Sequence, residues 1–191
     1  MKTSCVAMPI STNAGQFTAR YSEQGLAELN FPPVGRVSAL PGRRRGNESQ
    51  ISPVSNASVK DSSRRLLQSK VRTWHQATDS ALKNILAGRS PKKFPPLTPL
   101  GTEFQKSVWN AMRKIPLGKT KSYGEIAQAI GKPKAVRAVG GACGANPIPV
   151  LVPCHRVLAA NGKIGGFSGG LARKRDLLKR EGIKVPPLKS R

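Results

Sequence analysis

Two capping boxes mark where helices begin in the second half of this 191-residue chain. Thr102 is followed three residues later by Gln105, and Ser122 is followed three residues later by Glu125. In a capping box the hydroxyl accepts a hydrogen bond from the backbone N–H three residues on, and the longer polar side chain bonds back to the N–H of the cap residue. A helix therefore begins after each hydroxyl residue, and we predict a mainly helical second half.

Turn residues and apolar spacing complete these helices. The first helix has an apolar face formed by Phe104, Val108, Ala111 and Met112. After the second helix, Gly131 and Lys132 make a turn, and Pro133 takes the first position of a third helix, where its missing N–H is harmless. Two short helices joined by a three-residue turn that contains glycine are typical of a helix-turn-helix unit.

The third predicted helix has an almost bare surface, with Arg137 as its one long cationic side chain. Its small residues are Ala138, Gly140, Gly141, Ala142, Gly144 and Ala145. One interpretation is that they let the backbone approach a groove of DNA, with Arg137 reaching into or against the base stack. The other is that they permit close helix packing and that Arg137 is a solvated charge.

The first half alternates polar and apolar residues in a pattern typical of strands. Phe17, Ala19 and Tyr21 share one face of a strand, and Ala27, Leu29 and Phe31 share one face of the next. This pattern predicts a small antiparallel meander.

Composition and helical spacing divide the chain further. Residues 41–70 are polar and basic, which predicts a flexible insert. A helix is predicted over residues 72–87, with Gly88 just after its end, and a lone His75 beside its apolar stripe is assigned no role. We expect an N-terminal domain over residues 1–95, a second domain over 96–185, and a basic tail over 186–191.

The charge balance points to a polyanionic partner. The chain holds 33 Lys and Arg against 9 Asp and Glu, a net charge of +24. No apolar run of about 18 residues is long enough to cross a bilayer, and no secretory signal follows Lys2. We therefore expect a cytoplasmic or nuclear protein that binds nucleic acid rather than a membrane.

The three cysteines are scattered, with no metal-ligand spacing, so we expect reduced thiols and no metal site. A short apolar strand, Val150 to Val152, would deliver Cys154 at its end. A thiol of pKa about 8.5 needs a base or a positive field to act as a nucleophile, and His155 and Arg156 could supply each. The alternative is a buried core thiol, and Glu181 is either in a local ion pair or an orienting group for His155.

Residues 101–181 resemble the catalytic domain of the O6-alkylguanine-DNA alkyltransferases. The resemblance rests on motifs in matching order and spacing, which are Gly101 to Gln105, Ser122 with Tyr123, Lys134 to Ala142, Asn146 with Pro147, Pro153 to Val157, and Gly166 to Leu171. The first strands and the 74–88 helix resemble the N-terminal domain of that family more weakly. The family implies a mixed α/β (α+β) fold, with a ribonuclease H-like first domain and a winged helix-turn-helix-like catalytic domain.

The resemblance also implies a role for each matched residue. Cys154 would accept the alkyl group, His155 would act as the base through a water, and Glu181 would stabilise the imidazolium. Asn146 would order this network, and Tyr123 would donate a proton to the leaving guanine. The remaining expected site residues contact DNA (Arg137, Ala138, Gly140, Gly141, Ser122 and Arg156) or form the substrate-base pocket (Val157, Ser168 and Phe167 with Tyr123).

The implied function is single-turnover DNA repair by a methyltransferase. The alkyl group of O6-alkylguanine, and also of O4-methylthymine, would pass from a flipped nucleotide in double-stranded DNA to Cys154, with no cofactor and a monomeric protein. The N-terminal zinc site of some members is not expected here, because that region offers only Cys5 and His75. Two other functions remain open, a helix-turn-helix protein that only binds alkylated bases, and a cysteine hydrolase acting on an acyl substrate.

Overall fold

The computed structural model describes residues 5–33 and 61–184. Over these residues the chain forms the predicted mixed α/β fold, and its elements are a three-stranded antiparallel sheet, a two-stranded parallel pair and five α-helices. The strands are β1 (Val6–Thr12), β2 (Gly15–Ser22), β3 (Gly25–Asn30), β4 (Lys121–Ser122) and β5 (Val157–Leu158). The helices are α1 (Asp61–Leu86), α2 (Glu103–Arg113), α3 (Tyr123–Ala129), α4 (Val136–Gly144) and α5 (Leu171–Arg180).

The antiparallel sheet has the order β1-β2-β3. Phe17, Ala19 and Tyr21 all lie buried on one face of β2, as the alternation predicts. Strand β1 was not predicted, because its only buried residue is Ile10 and it carries Pro9. An edge strand tolerates a proline and a weak apolar pattern, since one side of it makes no ladder hydrogen bonds.

Strand β3 contains an irregularity that the sequence pattern did not predict. Tyr21 pairs with Leu26 and Arg20 pairs with Glu28, so Ala27 is left over as a bulge. The bulge turns both Leu26 and Leu29 into the core and leaves Ala27 only half-buried. The prediction that Ala27 shares the buried face of Leu29 is therefore wrong.

Helix α1 begins earlier than the predicted residue 72. Residues 61–70 are helical rather than part of a flexible insert, because Leu67, Val71 and Trp74 extend the apolar stripe at helical spacing and pack on the core. Residues 41–60 of the predicted insert and the 186–191 tail lie outside the described residues. At the other end Gly88 has φ +68° and donates to the Ile85 carbonyl at 2.9 Å, which confirms the predicted stop.

Both predicted capping boxes are present, at Thr102 before α2 and at Ser122 before α3. Trp109 was not included in the predicted apolar face of α2, yet it is buried and its Nε1 donates to the Ala142 carbonyl at 2.8 Å. Helices α2 and α3 both pack against α4. Helix α4 is thereby held by one face against the core.

Helix α4 begins at Val136 and not at Pro133. The Ala135 N–H donates to the Lys132 carbonyl at 2.9 Å, which closes a four-residue turn with Pro133 in its second position. The fixed φ of proline suits that turn position as well as it suits a helix start, so the proline alone did not distinguish the two.

The parallel pair β4-β5 sets Lys121 against Val157 and Ser122 against Leu158. This pairing places the start of α3 beside the segment that follows Cys154. No helix among residues 5–33 and 61–184 has the length and apolar character needed to cross a membrane.

Candidate active site

The segment before Cys154 is a tight turn, so the predicted strand over Val150 to Val152 is wrong. The Val152 N–H donates to the Ile148 carbonyl at 2.9 Å, and Val150 adopts φ +74°. Positive φ is rare for a β-branched residue. The run is buried, as a strand would be, but with prolines at both ends it is too short to extend into a sheet.

Pro153 completes the turn and aims Cys154 inward. Its φ of −81° and ψ of 65° are those of an inverse γ-turn, and the Cys154 N–H donates across it to the Val152 carbonyl at 2.8 Å. A single turn of 3₁₀-helix then runs from Cys154 to Arg156. The thiol, the imidazole and the guanidinium of this turn are all buried.

Asn146 fixes the position of the Cys154 sulfur. Its Nδ2 donates to the Val152 carbonyl at 2.8 Å and to Cys154 Sγ at 3.2 Å. Its Oδ1 accepts from the Ile148 N–H at 3.0 Å. Because every group of the amide is used, its orientation is fixed and an N–H is kept on the sulfur.

His155 follows Cys154 in the same turn, and its side chain is fully buried. Its Nε2 is 2.8 Å from Glu181 Oε1, and its Nδ1 has no hydrogen-bond partner among the described residues. Burial lowers the pKa of His155, and the hydrogen bond to Glu181 only partly opposes this effect. The imidazole is therefore neutral at neutral pH, with one nitrogen on a carboxylate and the other available.

Glu181 is the centre of a buried ion-pair network. Arg156 donates through Nε and Nη2 to both carboxylate oxygens at 2.9 Å, and the Gly118 N–H donates to Oε2 at 3.2 Å. Burial raises the pKa of Glu181, but the hydrogen bonds and charges of His155 and Arg156 outweigh it and lower the pKa to about 2. Glu181 is therefore ionised, and it orients His155 as well as forming an ion pair.

Arg156 was predicted to contact DNA, and the structure corrects this. Its side chain is 8% exposed, and its Nη1 donates to the Ile115 carbonyl at 2.7 Å while Nε and Nη2 hold Glu181. A guanidinium commonly binds a carboxylate through two parallel hydrogen bonds. Here the carboxylate is that of Glu181, which lies 25 residues further along the chain. Arg156 therefore acts inside the site by holding Glu181.

Lys174 is a site residue that the sequence did not suggest. It is fully buried, and its Nζ donates to the Val157 carbonyl at 2.6 Å and to the Gly166 carbonyl at 3.2 Å. Burial lowers its pKa to about 8, and the nearby thiols Cys154 and Cys143 oppose this effect. The available signal was its spacing, since a lysine three residues before Leu177 and four before Leu178 lies on the apolar side of α5.

The Cys154 thiol is protonated in the resting protein. Burial raises its pKa, and the Asn146 hydrogen bond and the Lys174 charge lower it by less. A neighbouring base is therefore required before this thiol can act as a nucleophile.

Tyr123 stands at the first position of α3, half-buried and facing the loop of residues 165–170. We call this loop the base loop, because the resemblance predicts that it holds the substrate base. A Cβ added to Gly165 would lie 3.0 Å from the phenol oxygen, so the ring is in close contact with this loop. Burial raises the pKa of Tyr123, and the neighbouring thiols Cys143 and Cys154 raise it further. Within the base loop, Phe167 is half-buried and Ser168 is exposed.

The outer face of α4 is exposed and bare. Arg137, Ala138 and Gly141 are exposed, Gly140 is half-buried, and Arg137 makes no hydrogen bond or ion pair with any described residue. A Cβ added at Gly140, Gly141 or Gly144 would meet nothing within 4 Å. These three glycines therefore do not serve close helix packing within the chain, whereas Ala142, on the opposite face of α4, is buried and does pack against the core.

Two further expectations have structural outcomes. Ser122 was expected at DNA, and its hydroxyl is already used in capping α3, where it lies 2.8 Å from Glu125 Oε2. His75 lies 3.2 Å from the Tyr21 hydroxyl, in a contact between α1 and the sheet.

Among residues 5–33 and 61–184 there is no group of three or more His, Cys, Asp and Glu side chains that could hold a metal ion.

Known proteins match this chain in two ways. The family model for the 6-O-methylguanine DNA methyltransferase DNA-binding domain matches residues 103–183. The methylated-DNA–protein-cysteine methyltransferase of Methanosarcina acetivorans is 63% identical over 86 residues, which cover 45% of this chain and 55% of that protein. The protein of that name from Mycobacterium bovis is 57% identical over 86 residues, 45% of this chain and 52% of its own. The matches thus span about half the length of these curated relatives.

Solved structures match over nearly the whole length. The O6-methylguanine methyltransferase of Mycobacterium tuberculosis is 33% identical, with a TM-score of 0.62 over 96% of both chains. Mycobacterium tuberculosis OGT in complex with DNA is 35% identical, with a TM-score of 0.63 over 91% of this chain and 90% of that one. With the site geometry described above, these matches establish that the chain belongs to the O6-methylguanine-DNA methyltransferase family.

Proposed function

We propose that this protein repairs DNA by direct reversal, transferring a methyl or larger alkyl group irreversibly from O6 of guanine, and also from O4 of thymine, to Cys154. The observation that carries the proposal is the buried array of a thiol held by Asn146, an imidazole at His155 with one unpartnered nitrogen, and an ionised carboxylate at Glu181. The name of the curated relatives, methylated-DNA–protein-cysteine methyltransferase, supports cysteine as the acceptor.

The network supplies a base for the thiol. Since Glu181 is ionised, it accepts a hydrogen bond, so His155 Nε2 carries the proton and Nδ1 keeps its lone pair. Adjacent side chains rarely point the same way, so the Cys154 proton passes to Nδ1 through one water. Glu181 then stabilises the imidazolium, and Arg156 keeps Glu181 ionised and in place.

The transfer itself breaks the bond between the alkyl carbon and O6. The Cys154 thiolate attacks the carbon in line with that bond, a carbon–sulfur bond forms, and the electron pair of the old bond passes to the guanine. Tyr123 donates its phenol proton to the leaving base, and its raised pKa keeps that proton in place until charge develops. The proton that His155 takes from the thiol balances the one that Tyr123 gives up.

The product explains single turnover. A thioether on Cys154 has a poor leaving group, so neither water nor a second thiol regenerates the free sulfur. The reaction needs no cofactor, because the chain supplies the acceptor, the base and the acid.

The DNA-binding surface is the bare face of α4. The target atom lies within the duplex, so the nucleotide must be flipped out, at a cost of a few kcal/mol. Arg137 would fill the gap in the base stack, while Ala138, Gly140 and Gly141 let the helix approach the groove closely. Ser122, at the nearby start of α3, would contact the sugar-phosphate backbone of the DNA. The net charge of +24 provides attraction to phosphates that does not depend on base sequence. A relative solved with DNA supports this partner.

The flipped base is held by the base loop. Ser168 is exposed in this loop, and Phe167 is half-buried. The Val157 carbonyl already accepts from Lys174, but a carbonyl oxygen has a second lone pair for the base. Lys174 therefore fixes both walls of this pocket, at Val157 and at Gly166.

Two sets of packing contacts support the proposed domain boundaries. Helix α1 packs on β1 and β3, whereas α2, α3 and α4 pack on one another. These contacts support a division into a first domain over residues 1–95 and a catalytic domain over residues 96–185, and we propose that the first is ribonuclease H-like and the second winged helix-turn-helix-like. The protein works as a monomer in the cytoplasm, or in the nucleus of a eukaryote.

A stoichiometry experiment tests the proposal. The protein is mixed with an excess of duplex DNA that carries labelled O6-methylguanine, and transfer of label to protein is followed to completion. We expect one label per protein molecule, with Cys5→Ser behaving as the wild type because that thiol is exposed and outside the site. Label that never reaches the protein would favour a binding-only protein, and repeated turnover would favour a hydrolase-like reaction.

A further inference from the structure

We infer that Phe31, a residue outside every motif of the site, is a positioning residue for the base loop. The inference rests on the proposed function, since it concerns the loop that holds the flipped base. Phe31 follows strand β3 directly, and its ring meets that of Phe167 edge-on, with centroids 5.8 Å apart and planes at 69°. This geometry is a favourable one for a pair of aromatic rings.

Gly169 shows how closely the two rings enclose the loop. A Cβ added to Gly169 would lie 2.8 Å from Phe167 and 2.9 Å from Phe31. Both distances are shorter than real contacts of a Cβ atom, so the loop backbone passes between these rings with no room for a side chain. The path of the loop at Gly169 therefore depends on where Phe31 stands.

Phe31 is itself anchored on two sides. Its ring lies 5.5 Å from that of the buried Phe17 in β2. On the other side the Arg173 guanidinium lies 5.0 Å from the Phe31 ring centroid and donates to the Pro32 carbonyl. Arg173 stands in the first turn of α5, immediately after the base loop, so the sheet and α5 hold the ring together.

The base loop is thus supported from two directions. Tyr123 and Lys174 contact it at Gly165 and Gly166, from the catalytic side. Phe31 supports it at Phe167 and Gly169, from the N-terminal sheet. Loss of the second support frees the half of the loop that carries Ser168, while the thiol network keeps its own hydrogen bonds.

The test compares Phe31→Ala, Phe31→Tyr and Phe94→Ala. Phe94 is a partly exposed phenylalanine remote from these contacts, and serves as the matched control. Single-turnover transfer from an O6-methylguanine duplex is measured over a range of DNA concentrations. The rate at which iodoacetamide alkylates Cys154 is read from the mass of its peptide, and amide hydrogen exchange is followed in residues 165–170.

Phe31→Ala is expected to slow methyl transfer about 10- to 100-fold, the scale of a misplaced substrate, and to speed hydrogen exchange in the base loop. The iodoacetamide rate should stay within about twofold of the wild-type value, because thiol reactivity depends on the pKa and exposure of Cys154 and that small reagent is not positioned by the base loop. Phe31→Tyr keeps the ring and should restore most of the transfer rate, and Phe94→Ala should behave as the wild type.

Three results would overturn the inference. They are wild-type transfer rates in Phe31→Ala, no recovery in Phe31→Tyr, or an equal fall in the iodoacetamide rate, which would indicate general damage to the site. Failure of the proposed function is a separate outcome, because the wild-type protein would then transfer no methyl group. Hydrogen exchange in the base loop would still test the role of Phe31 in that case.

Discussion

Gly141→Ala should stabilise the folded protein and weaken its binding to DNA. Gly141 lies within α4, it is exposed, and a Cβ there meets nothing within 4 Å. Alanine in the interior of a helix is favoured over glycine by about 0.5–1 kcal/mol. For a chain of this length that gain corresponds to a rise in Tm of about 1–4 °C, which is measured by thermal unfolding.

The same methyl group would stand between α4 and the groove that it approaches. We expect the Kd for an O6-methylguanine duplex to rise about tenfold, which corresponds to about 1.4 kcal/mol. Fluorescence anisotropy at fixed salt measures it. Ser80→Ala, on the exposed side of α1, is the matched control and should raise Tm without changing Kd. An unchanged Kd in Gly141→Ala, or a fall in Tm, would refute the reasoning that this glycine serves an external partner.

Three further predictions concern the interior. Glu181→Gln leaves Arg156 buried without its carboxylate and should cost about 3–5 kcal/mol of unfolding free energy. Folding lowers the pKa of Glu181 from 4.5 to about 2, so its stabilising contribution is present above pH 4.5 and is lost as the pH falls toward 2. The unfolding free energy of Glu181→Gln should therefore fall less steeply between pH 4.5 and 2 than that of the wild type. Val150→Gly should cost about 1–2 kcal/mol less than Val152→Gly in denaturant unfolding, because only Val150 has positive φ; equal costs would count against strain there. Trp109→Phe should cost about 1 kcal/mol through loss of the bond to Ala142, and a neutral effect would contradict it.

The features that were predictable from the sequence are local ones. A capping box brings together groups only three residues apart, so both helix starts could be placed correctly from Thr102 and Ser122. The end of α1 at Gly88 was predictable for a similar local reason, since glycine adopts positive φ without steric cost. The candidate nucleophile, Cys154, was not identified by the adjacent His155 alone, and the motifs spread over residues 101–181 were needed to favour it over a buried core thiol.

The features that were missed depend on partners far away in the chain. Arg156 is buried because it forms an ion pair with Glu181, which lies 25 residues later in the chain. No local sequence pattern indicates that pairing. Lys174 can be buried because its ammonium group donates hydrogen bonds to two carbonyls, those of Val157 and Gly166. The buried run at Val150 fits a strand or a turn equally well by its apolar character, and only the three-dimensional path decides between them.

The central claim is that Cys154 itself accepts the alkyl group. The direct measurement is the mass of the intact protein, and then of its peptides, after reaction with an equimolar O6-methylguanine duplex. The account predicts a gain of one methyl group, located on the Cys154 peptide, and no gain in Cys154→Ser. An unchanged mass after the lesion has been repaired, or a methyl group on Cys143 or Cys5, would contradict it.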